Sequence, residues 1–223
     1  MNMSPLSRDQ LAQVLAADIP SNSYVNLGVG MPTLVAKHLK PEQGVVLHSE
    51  NGILGMTGLP AGQTPDIDLV NASREAVSLM PGASICDHVV SFSMMRGGHI
   101  DVTILGGFQV SVEGDLANWD TGQADAIPAV GGAMDLVAGA KQVFVMMQHV
   151  DREGRAKLVR QCTYPLTGHG VVNRVYTDLA IMDVIKGQHL VVRGMIEGMT
   201  FDALQSVTEA PLVLAADCCV IHP

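Results

Sequence analysis

Short apolar runs alternate along the chain with stretches in which apolar residues recur at helical spacing. Ser7 and Gln10 match the S-x-x-Q pattern of a capping box, which predicts a helix that continues to Asp18. Further helices are predicted over 32–40, 133–139 and 200–207, and strands over 24–27, 45–50, 100–105, 142–150, 177–184 and 190–196. This alternation indicates an α/β fold with a mostly parallel or mixed sheet flanked by helices.

Glycine-bearing loops follow several of the predicted strands. They lie at 28–33, 50–55 and 106–107, and a glycine pair at 131–132 opens a predicted helix. The segment 51–62 is rich in Gly, Thr and Pro, so it is predicted to be a long loop. Because ligands of such sheets bind beyond the carboxyl ends of the strands, a site is expected among these loops.

Composition narrows the class of protein. A chain of 223 residues, with 48% hydrophobic and 16% charged residues, is expected to form one domain over 1–223 with a sizeable core. The formal net charge of −9 argues against nucleic acid or an anionic membrane as the main partner. The sequence has no apolar run of membrane-spanning length and no signal-peptide core at its start, which predicts a soluble, cytoplasmic protein.

The four cysteines indicate a reducing compartment. Cys86, Cys162, Cys218 and Cys219 form neither a C-x-x-C pair nor a zinc-like spacing with histidine. Cys218 and Cys219 are adjacent in an apolar tail, where a disulfide between them would be strained. We therefore predict reduced, buried thiols and no metal site.

The first chemical signal is Gly28-x-Gly30, placed after a predicted strand and before a predicted helix, with Glu50 about 20 residues further on. This layout resembles a dinucleotide-binding fingerprint, in which the later acid binds a ribose. Thr33 stands in place of the third glycine, and Pro32 occupies the turn where the helix packs on the strand. A nicotinamide- or flavin-dependent oxidoreductase is thus an alternative, while the backbone N–H groups of this loop also suit a carboxylate, a phosphate or an oxyanion.

The second signal is Glu50, which ends a predicted buried strand and precedes the turn-forming pair Asn51 and Gly52. If this strand pairs with the one before it, Glu50 and the loop at 28–30 meet on one edge of the sheet. A carboxylate facing backbone donors suits acyl transfer through a mixed anhydride, whose developing oxyanion needs N–H groups. Glu50 could instead cap a turn or reach solvent. His48 lies on the same face of the strand and is interpreted as a packed side chain.

Six short motifs occur in one order along the chain: VNLGVGMPT (25–33), SENG (49–52), MRGGH (95–99), GDLANW (114–119), GGAMDL (131–136) and PLTG (165–168). Together they resemble the B (β) subunit of the 3-oxoacid CoA-transferases, and the resemblance covers nearly the whole chain. One such motif is weak evidence, but six collinear motifs are very specific. The resemblance implies the fold of that family and a CoA-transferase activity.

The resemblance also implies a role for each matching residue. Glu50 becomes the nucleophile, which forms a mixed anhydride with the acyl group and then a glutamyl-CoA thioester in a ping-pong cycle. Asn26 orients the substrate, and the backbone N–H of Gly132 stabilises the carbonyl oxygen. The remaining substrate- and oxyanion-binding positions are Gly28, Val29, Gly30 and Gly131. No metal or redox cofactor is implied, because the CoA thioester is itself a substrate.

A partner and a substrate follow from the same resemblance. A separate A subunit of related fold is expected to supply the other wall of the cleft, in an A2B2 heterotetramer. The expected donor is succinyl-CoA. The stretch 119–130 is more similar to the 3-oxoadipate branch, so 3-oxoadipate is the expected acceptor, with acetoacetate and short fatty acids as alternatives. The loop at 56–60 departs from the pattern usual in both branches.

Three charged residues keep more than one interpretation. Arg74 and Arg96 could pair with an acceptor carboxylate or with CoA phosphates, or could form exposed salt bridges. Asp135 is interpreted as a charge at a helix start rather than as a catalytic acid. A non-catalytic protein on the same fold is a third alternative, beside the transferase and the oxidoreductase.

Overall fold

The computed structural model describes residues 4–122 and 127–223. The α-helices are α1 (Arg8–Asp18), α2 (His88–Arg96), α3 (Ala133–Gly139) and α4 (Phe201–Ser206), and two 3₁₀ helices span Met31–His38 and Pro41–Gln43. The strands are β1 (Tyr24–Leu27), β2 (Val46–Ser49), β3 (Ile53–Gly58), β4 (Val77–Ile85), β5 (Val102–Leu105), β6 (Gln109–Ser111), β7 (Leu116–Ala117), β8 (Gln142–Met147), β9 (Leu158–Val159), β10 (Arg174–Thr177), β11 (Ala180–Ile185), β12 (His189–Met195) and β13 (Leu212–Val220).

Ten strands form one mixed sheet in the order β13-β12-β11-β10-β8-β5-β1-β2-β3-β4. Its centre, from β10 through β8, β5 and β1 to β2, is parallel throughout. Antiparallel hairpins extend it on both sides, with β3 and β4 at one edge and β11 and β12 toward the other. A second sheet of three short strands, β7-β6-β9, lies apart from it. The predicted α/β fold with a mixed sheet and flanking helices is confirmed.

Alternate side chains of the central strands pack into two hydrophobic cores, one on each face of the sheet. Ile104 and Phe144 belong to the core that α1 covers. Leu105 and Val145 belong to the core that α2 and α3 cover. Asn26 follows Val25, which packs on the α1 side, so the side chain of Asn26 faces α2 and α3.

Several predicted elements form as expected. The side chain of Ser7 accepts a hydrogen bond from the N–H of Gln10, and Gln10 accepts one from the N–H of Ser7, which confirms the capping box. Helix α3 has the predicted bounds, and Thr200 caps α4 through its side chain. The segment after Gly30 is helical but is a 3₁₀ helix that ends at His38. No side chain caps it, and the N–H of Thr33 bonds three residues back to Gly30.

Two predictions of secondary structure are wrong, and one strand was not predicted. The segment 51–62, predicted to be a loop, contains β3, because Gly52 and Gly55 adopt positive φ within a bulged ladder. The strand predicted over 177–184 is a hairpin in which β10 ends at Thr177 and β11 begins at Ala180. The apolar tail that carries the adjacent cysteines is the edge strand β13.

The thiols are free, as predicted, but they are not fully buried. Cys86, Cys162 and Cys218 are half-buried and Cys219 is exposed. The reason for Cys218 and Cys219 is their place on β13, which has a neighbouring strand on one side only. Among the described residues, no helix has both the length and the apolar composition that crossing a membrane requires.

Candidate active site

Glu50 lies in the tight turn that joins β2 to β3. The turn is closed by a 2.9 Å hydrogen bond from the N–H of Gly52 to the carbonyl of Ser49, with Glu50 and Asn51 between them. Gly52 has φ of 110°, and the carbonyl of Cys86 lies so close that a Cβ at Gly52 would overlap it. The sharp turn predicted at Asn51–Gly52 is confirmed, and it projects Glu50 from the end of a buried strand.

The start of α3 meets the carboxylate of Glu50. The N–H of Gly132, the N-cap residue of α3, donates a 3.1 Å hydrogen bond to Oε2 of Glu50. A Cβ at position 132 would overlap that same carboxylate, so a larger residue there would displace it. Within the described part of the chain, Oε1 of Glu50 accepts no hydrogen bond.

Opposing effects set the pKa of Glu50. Burial raises it above its ordinary value of 4.5, and the negative charge of Asp135 raises it further. The hydrogen bond from Gly132 and the proximity of His88 lower it, but burial prevails. The site thus holds a poorly solvated carboxylate that receives one backbone hydrogen bond.

Helix α2 supplies side chains around Glu50 that the sequence did not single out. The ring of His88 lies 4.1 Å from that of Phe92, measured between centroids, and Phe92 in turn lies close to Gly132. Arg96, at the end of α2, forms an ion pair with Asp135 on α3. The salt-bridge interpretation of Arg96 therefore holds, and Asp135 is a paired charge in the first turn of its helix.

Asn26 and His48 form the floor beneath the turn. Their strands are parallel neighbours with Asn26 opposite His48 in the register, and both side chains are about 1% exposed. Nδ2 of Asn26 lies 3.1 Å from Nδ1 of His48, and Nε2 of His48 lies 2.9 Å from Oγ of Ser91. The hydroxyl of Ser91 donates a 2.8 Å hydrogen bond to the main-chain carbonyl of Glu50. His48 is packed, as predicted, but Asn26 is connected to Glu50 only through other side chains.

The predicted glycine loop does not contribute the donor that binds Glu50. The register pairs Asn26 with His48, and β1 and β2 each end one residue later, so the loop and the turn that holds Glu50 leave the sheet at the same end. The N–H of Gly28, however, donates to the carbonyl of Ile104 on β5, so it is not available to a ligand. Val29 is 68% exposed and Gly30 has φ of 90°. Gly131 has φ of 51° and open space where a Cβ would lie.

Two residues of the SENG motif fix a neighbouring loop. Oγ of Ser49 accepts the N–H of Ala72, and the side chain of Asn51 donates to the carbonyl of Val70. The loop presents Arg74, which is exposed and has φ of 64°, a left-handed conformation rare for a residue with a side chain. Within the described residues of this chain Arg74 forms no ion pair.

A cleft of about 350 Å³ opens on the other face of β2 from His48. Because Leu47 and Ser49 alternate with His48, they line this cleft, together with Leu27 on β1 and Met56 to Leu59. The segment 56–60, which departs from the usual family pattern, therefore borders a cavity next to the turn that holds Glu50.

The motifs at 114–119 and 165–168 meet away from Glu50. Asn118 donates a 3.1 Å hydrogen bond to the carbonyl of Gly106 and accepts one of 2.6 Å from the hydroxyl of Thr167. These two hydrogen bonds hold the loop that follows β5. Residues 123–126, part of the stretch used to select the 3-oxoadipate branch, lie outside the described residues.

Comparisons with known proteins agree with this geometry. The profile of the coenzyme A transferase family matches residues 8–206. The B subunit of the 3-oxoadipate CoA-transferase of Pseudomonas putida is 54% identical over 208 residues, 93% of this chain and 97% of that protein. The B subunit of a probable succinyl-CoA:3-ketoacid coenzyme A transferase of Bacillus subtilis is 43% identical over 209 residues, 94% of this chain and 96% of that protein. A solved acyl-CoA transferase from Escherichia coli O157:H7 has a TM-score of 0.74 at 18% identity, and this chain, covered completely, spans 44% of its length.

The fold and the matches together define an enzyme subunit of the CoA-transferase class. The chain belongs to the coenzyme A transferase family, and over nearly its full length it is similar to B subunits of 3-oxoadipate and succinyl-CoA:3-ketoacid transferases. This family membership replaces the alternative of a dinucleotide-binding oxidoreductase. Glu50 contacts a helix start instead of standing free to bind a ribose.

Sequence reasoning missed Ser91 and His88 because it missed α2 altogether. A signal was present: Asp87 is the N-cap of this helix, and its side chain accepts a 2.9 Å hydrogen bond from the N–H of Val90. Only Cys86 separates the N-cap from the end of β4, so no loop marked the beginning of the helix.

Proposed function

We propose that this chain is the B subunit of a transferase that moves coenzyme A from succinyl-CoA to a 3-oxo acid, with 3-oxoadipate as the preferred acceptor. Glu50 is its nucleophile, and a separate A subunit completes the enzyme as an A2B2 heterotetramer in the cytoplasm. The observation that carries the proposal is the hydrogen bond from the N–H of Gly132 to one oxygen of Glu50, while the other oxygen has no partner among the described residues and can attack.

The reaction balances with Glu50 and the two substrates alone. Oε1 of Glu50 attacks the acyl carbon of the donor, the carbon–sulfur bond breaks, and CoA thiolate leaves a mixed anhydride. The thiolate then attacks the glutamyl carbonyl carbon, which releases the donor acid and leaves a glutamyl-CoA thioester. The acceptor carboxylate repeats both steps in reverse order and restores the carboxylate of Glu50. No electron is transferred and no proton is consumed.

Gly132 has a distinct role in each half of this cycle. In the free enzyme its N–H holds Oε2 and so orients Oε1. Once Glu50 is acylated or thioesterified, Oε2 is the carbonyl oxygen, and attack on the glutamyl carbon turns it into an oxyanion at the same position. A donor already aimed there stabilises that charge, because no reorganisation is needed when the charge develops.

Burial of Glu50 supports a nucleophilic role. A carboxylate whose pKa is raised by poor solvation is more basic than one in water, and it gives up less hydration when it attacks. The hydrogen bond from Gly132 acts in the opposite direction on the pKa and favours the ionised form, which is the form that attacks. Both conditions are needed for attack on a thioester.

The acceptor is proposed from the relatives. Identity is 54% to the 3-oxoadipate relative and 43% to the succinyl-CoA:3-ketoacid relative, and both are matched over nearly their full length. Both relatives are B subunits, which supports a separate A subunit for this chain. Acetoacetate and short fatty acids are the competing acceptors, and the cleft bordered by Met56 to Leu59 is a candidate place for their selection.

The test uses the chain co-expressed and purified with its A subunit. Incubation with succinyl-CoA alone should place CoA on Glu50, and borohydride reduction followed by peptide mass analysis should locate the modified residue. Glu50→Gln should give no adduct and no acyl exchange. Glu42→Gln is the matched control, because Glu42 is exposed and precedes β2, at the opposite end of that strand from Glu50.

The outcomes separate the parts of the proposal. An assembled enzyme that exchanges acyl groups without any CoA on Glu50 would contradict the mechanism. An acceptor panel in which acetoacetate is used better than 3-oxoadipate would contradict the substrate assignment. Full turnover by this chain without any partner would contradict the need for an A subunit.

A further inference from the structure

The hydrogen bonds beneath Glu50 allow only one arrangement of hydrogen atoms. The hydroxyl of Ser91 donates to the carbonyl of Glu50, so its oxygen must accept from Nε2–H of His48. Nδ1 of His48 then carries a lone pair, and it accepts from the side-chain amide of Asn26. The second amide hydrogen of Asn26 points to the carbonyl of His48 at 3.3 Å.

Burial keeps this arrangement in place. His48 is about 1% exposed, and its burial lowers its pKa to about 4, so the ring is neutral at pH 7 with one donor and one acceptor nitrogen. Reversing the amide of Asn26 would turn its oxygen toward the lone pair of Nδ1 and toward the carbonyl of His48. The contacts therefore fix both the tautomer and the amide orientation.

The same contacts limit what Asn26 can do. Both of its amide hydrogens are taken by His48, and its remaining atom, Oδ1, is buried without a partner among the described residues. An amide in this state has no donor left for a thioester carbonyl or a substrate carboxylate. Its free oxygen is also closed to solvent, so direct binding of substrate by Asn26 does not fit the geometry.

We propose that Asn26, His48 and Ser91 act as one positioning unit, which anchors the main-chain carbonyl of Glu50 to the floor of the sheet and so fixes the direction of its carboxylate. This inference rests on the proposed role of Glu50 as the nucleophile. The unit explains why Ser91, fully buried on α2, bonds outside its own helix, whereas Ser93 donates to the carbonyl of Val89 one turn earlier.

The positioning acts on the two ends of the nucleophile. Gly132 holds Oε2 of the carboxylate and Ser91 holds the main-chain carbonyl of the same residue. With both fixed, Oε1 has a restricted range of positions, which is the condition for attack at a defined angle. Loss of Ser91 leaves the carboxylate present but less well directed, so the chemical step slows while substrate binding stays the same.

The test measures the rate of Glu50–CoA adduct formation in the complex with the A subunit, as a function of succinyl-CoA concentration. Ser91→Ala should lower the limiting rate about 10-fold or more, while the concentration for half-maximal rate changes less than about 3-fold. Ser93→Ala, on the same helix, is the matched control and should react at the wild-type rate.

A second series examines the histidine. His48→Leu removes both hydrogen bonds and should slow adduct formation as Ser91→Ala does. His48→Gln offers one acceptor and one donor and should restore the rate to within about 3-fold of wild type. His149→Leu, at another buried histidine, controls for loss of packing and should not change the rate. The double variant His48→Leu with Ser91→Ala should be no slower than its slower parent. Either single substitution already disrupts the same positioning unit, so the two effects should not add.

Each result decides one question. Wild-type enzyme without an adduct would refute the role of Glu50 and leave no nucleophile to position. An adduct in wild type together with an unchanged limiting rate in Ser91→Ala would overturn only the positioning unit. If His48→Leu does not assemble with the A subunit, the rates of Ser91→Ala and His48→Gln still test whether the three residues act as a positioning unit. Failure of His48→Gln to react faster than Ser91→Ala would also overturn the inference.

Discussion

Two buried histidines at the carboxyl ends of parallel strands show how similar local chemistry can have different uses. His48, near the end of β2, and His149, just after β8, are each about fully buried, and each has its pKa lowered to about 4 by burial. His149 bonds through its two ring nitrogens to the hydroxyls of Thr177 and Thr208, at 2.9 and 2.8 Å. His48 bonds to Asn26 and Ser91 at similar distances.

The difference lies in what surrounds each histidine. Around His149, the neutral ring donates to one threonine hydroxyl, which donates to a main-chain carbonyl, and accepts from the other hydroxyl, so none of the described side-chain polar atoms here is buried without a partner. Around His48, the described residues leave Oδ1 of Asn26 and Oγ1 of Thr103 buried without partners. Asn26 and Thr103 are register neighbours on β1 and β5. A fully paired network holds the fold, whereas an incompletely paired one beside a carboxylate indicates a site where stability is given up for chemistry.

Among substitutions that keep Glu50, the largest effect should come from a single methyl group placed against it. Gly132→Ala puts a Cβ where the carboxylate of Glu50 lies, so it displaces Oε2 from the N–H of residue 132. We expect adduct formation to fall by roughly 100- to 1,000-fold. The control is Gly106→Ala, where a Cβ meets open space and φ is not positive. Equal rates for wild type and Gly132→Ala would show that this N–H is not part of the reaction.

Acid should affect the two histidine regions alike. In the unfolded chain both rings titrate near 6.5, whereas in the folded chain they titrate near 4, so the unfolded chain binds more protons as the pH falls. The contribution of the two histidines to the free energy of unfolding is therefore fully present above pH 6.5. It is lost as the pH falls toward 4, by about 3 kcal/mol for each histidine. Urea unfolding at pH 7, 5.5 and 4 measures this.

The acid experiment sharpens the comparison through two substitutions. His149→Gln and His48→Gln should each make the free energy of unfolding less sensitive to pH, and by similar amounts, since both remove a buried titratable ring. His149→Gln should leave adduct formation unchanged. A pH dependence identical to wild type in both variants would contradict neutral, buried histidines.

The sequence was informative wherever one short segment determined the structure. The capping box at Ser7, the turn at Asn51–Gly52 and helix α3 needed no long-range information, and all three formed as predicted. The position of Glu50 at a strand end followed from the same kind of local signal. The parallel pairing of β1 with β2 had been posed as a condition, and it is met.

What the sequence did not reveal depends on contacts between distant residues. Ser91 lies 41 positions from Glu50 and Gly132 lies 82 positions from it, so spacing along the chain says nothing about their convergence. The resemblance to CoA-transferases supplied Gly132 but not Ser91. Asn26 was assigned to the substrate by resemblance, and only the positions of its amide hydrogens show that His48 takes both of them.

A smaller effect is expected at Arg74. Its left-handed backbone is held by the turn that begins at Asn71, and its guanidinium has no ion-pair partner among the described residues. If it binds an anionic part of the substrate, Arg74→Gly should raise the KM for succinyl-CoA about 10-fold with kcat nearly unchanged. Asn22→Gly, at the other non-glycine residue with positive φ, is the control. An unchanged KM would assign Arg74 no part in binding.

The smallest expected effect is on the melting temperature, and it compares the region around Glu50 with the region around His149. The folded-state pKa of Glu50 is raised mainly by burial, so the folded chain holds this proton more tightly than the unfolded chain does. A group of this kind favours folding below its unfolded pKa, and that contribution is lost as the pH rises through the folded pKa. Once the pH is above the folded pKa, the buried carboxylate no longer contributes this stability. A neutral amide at this position still accepts the hydrogen bond from Gly132 but carries no charge, so Glu50→Gln should raise the melting temperature while it abolishes transfer.

Glu42→Gln, at an exposed carboxylate, should leave the melting temperature unchanged, and His149→Gln should lower it, because there the substitution disturbs a network that is already fully paired. A melting temperature that falls in Glu50→Gln would mean that the site around Glu50 is as well satisfied as the one around His149, and the distinction between the two regions would not hold.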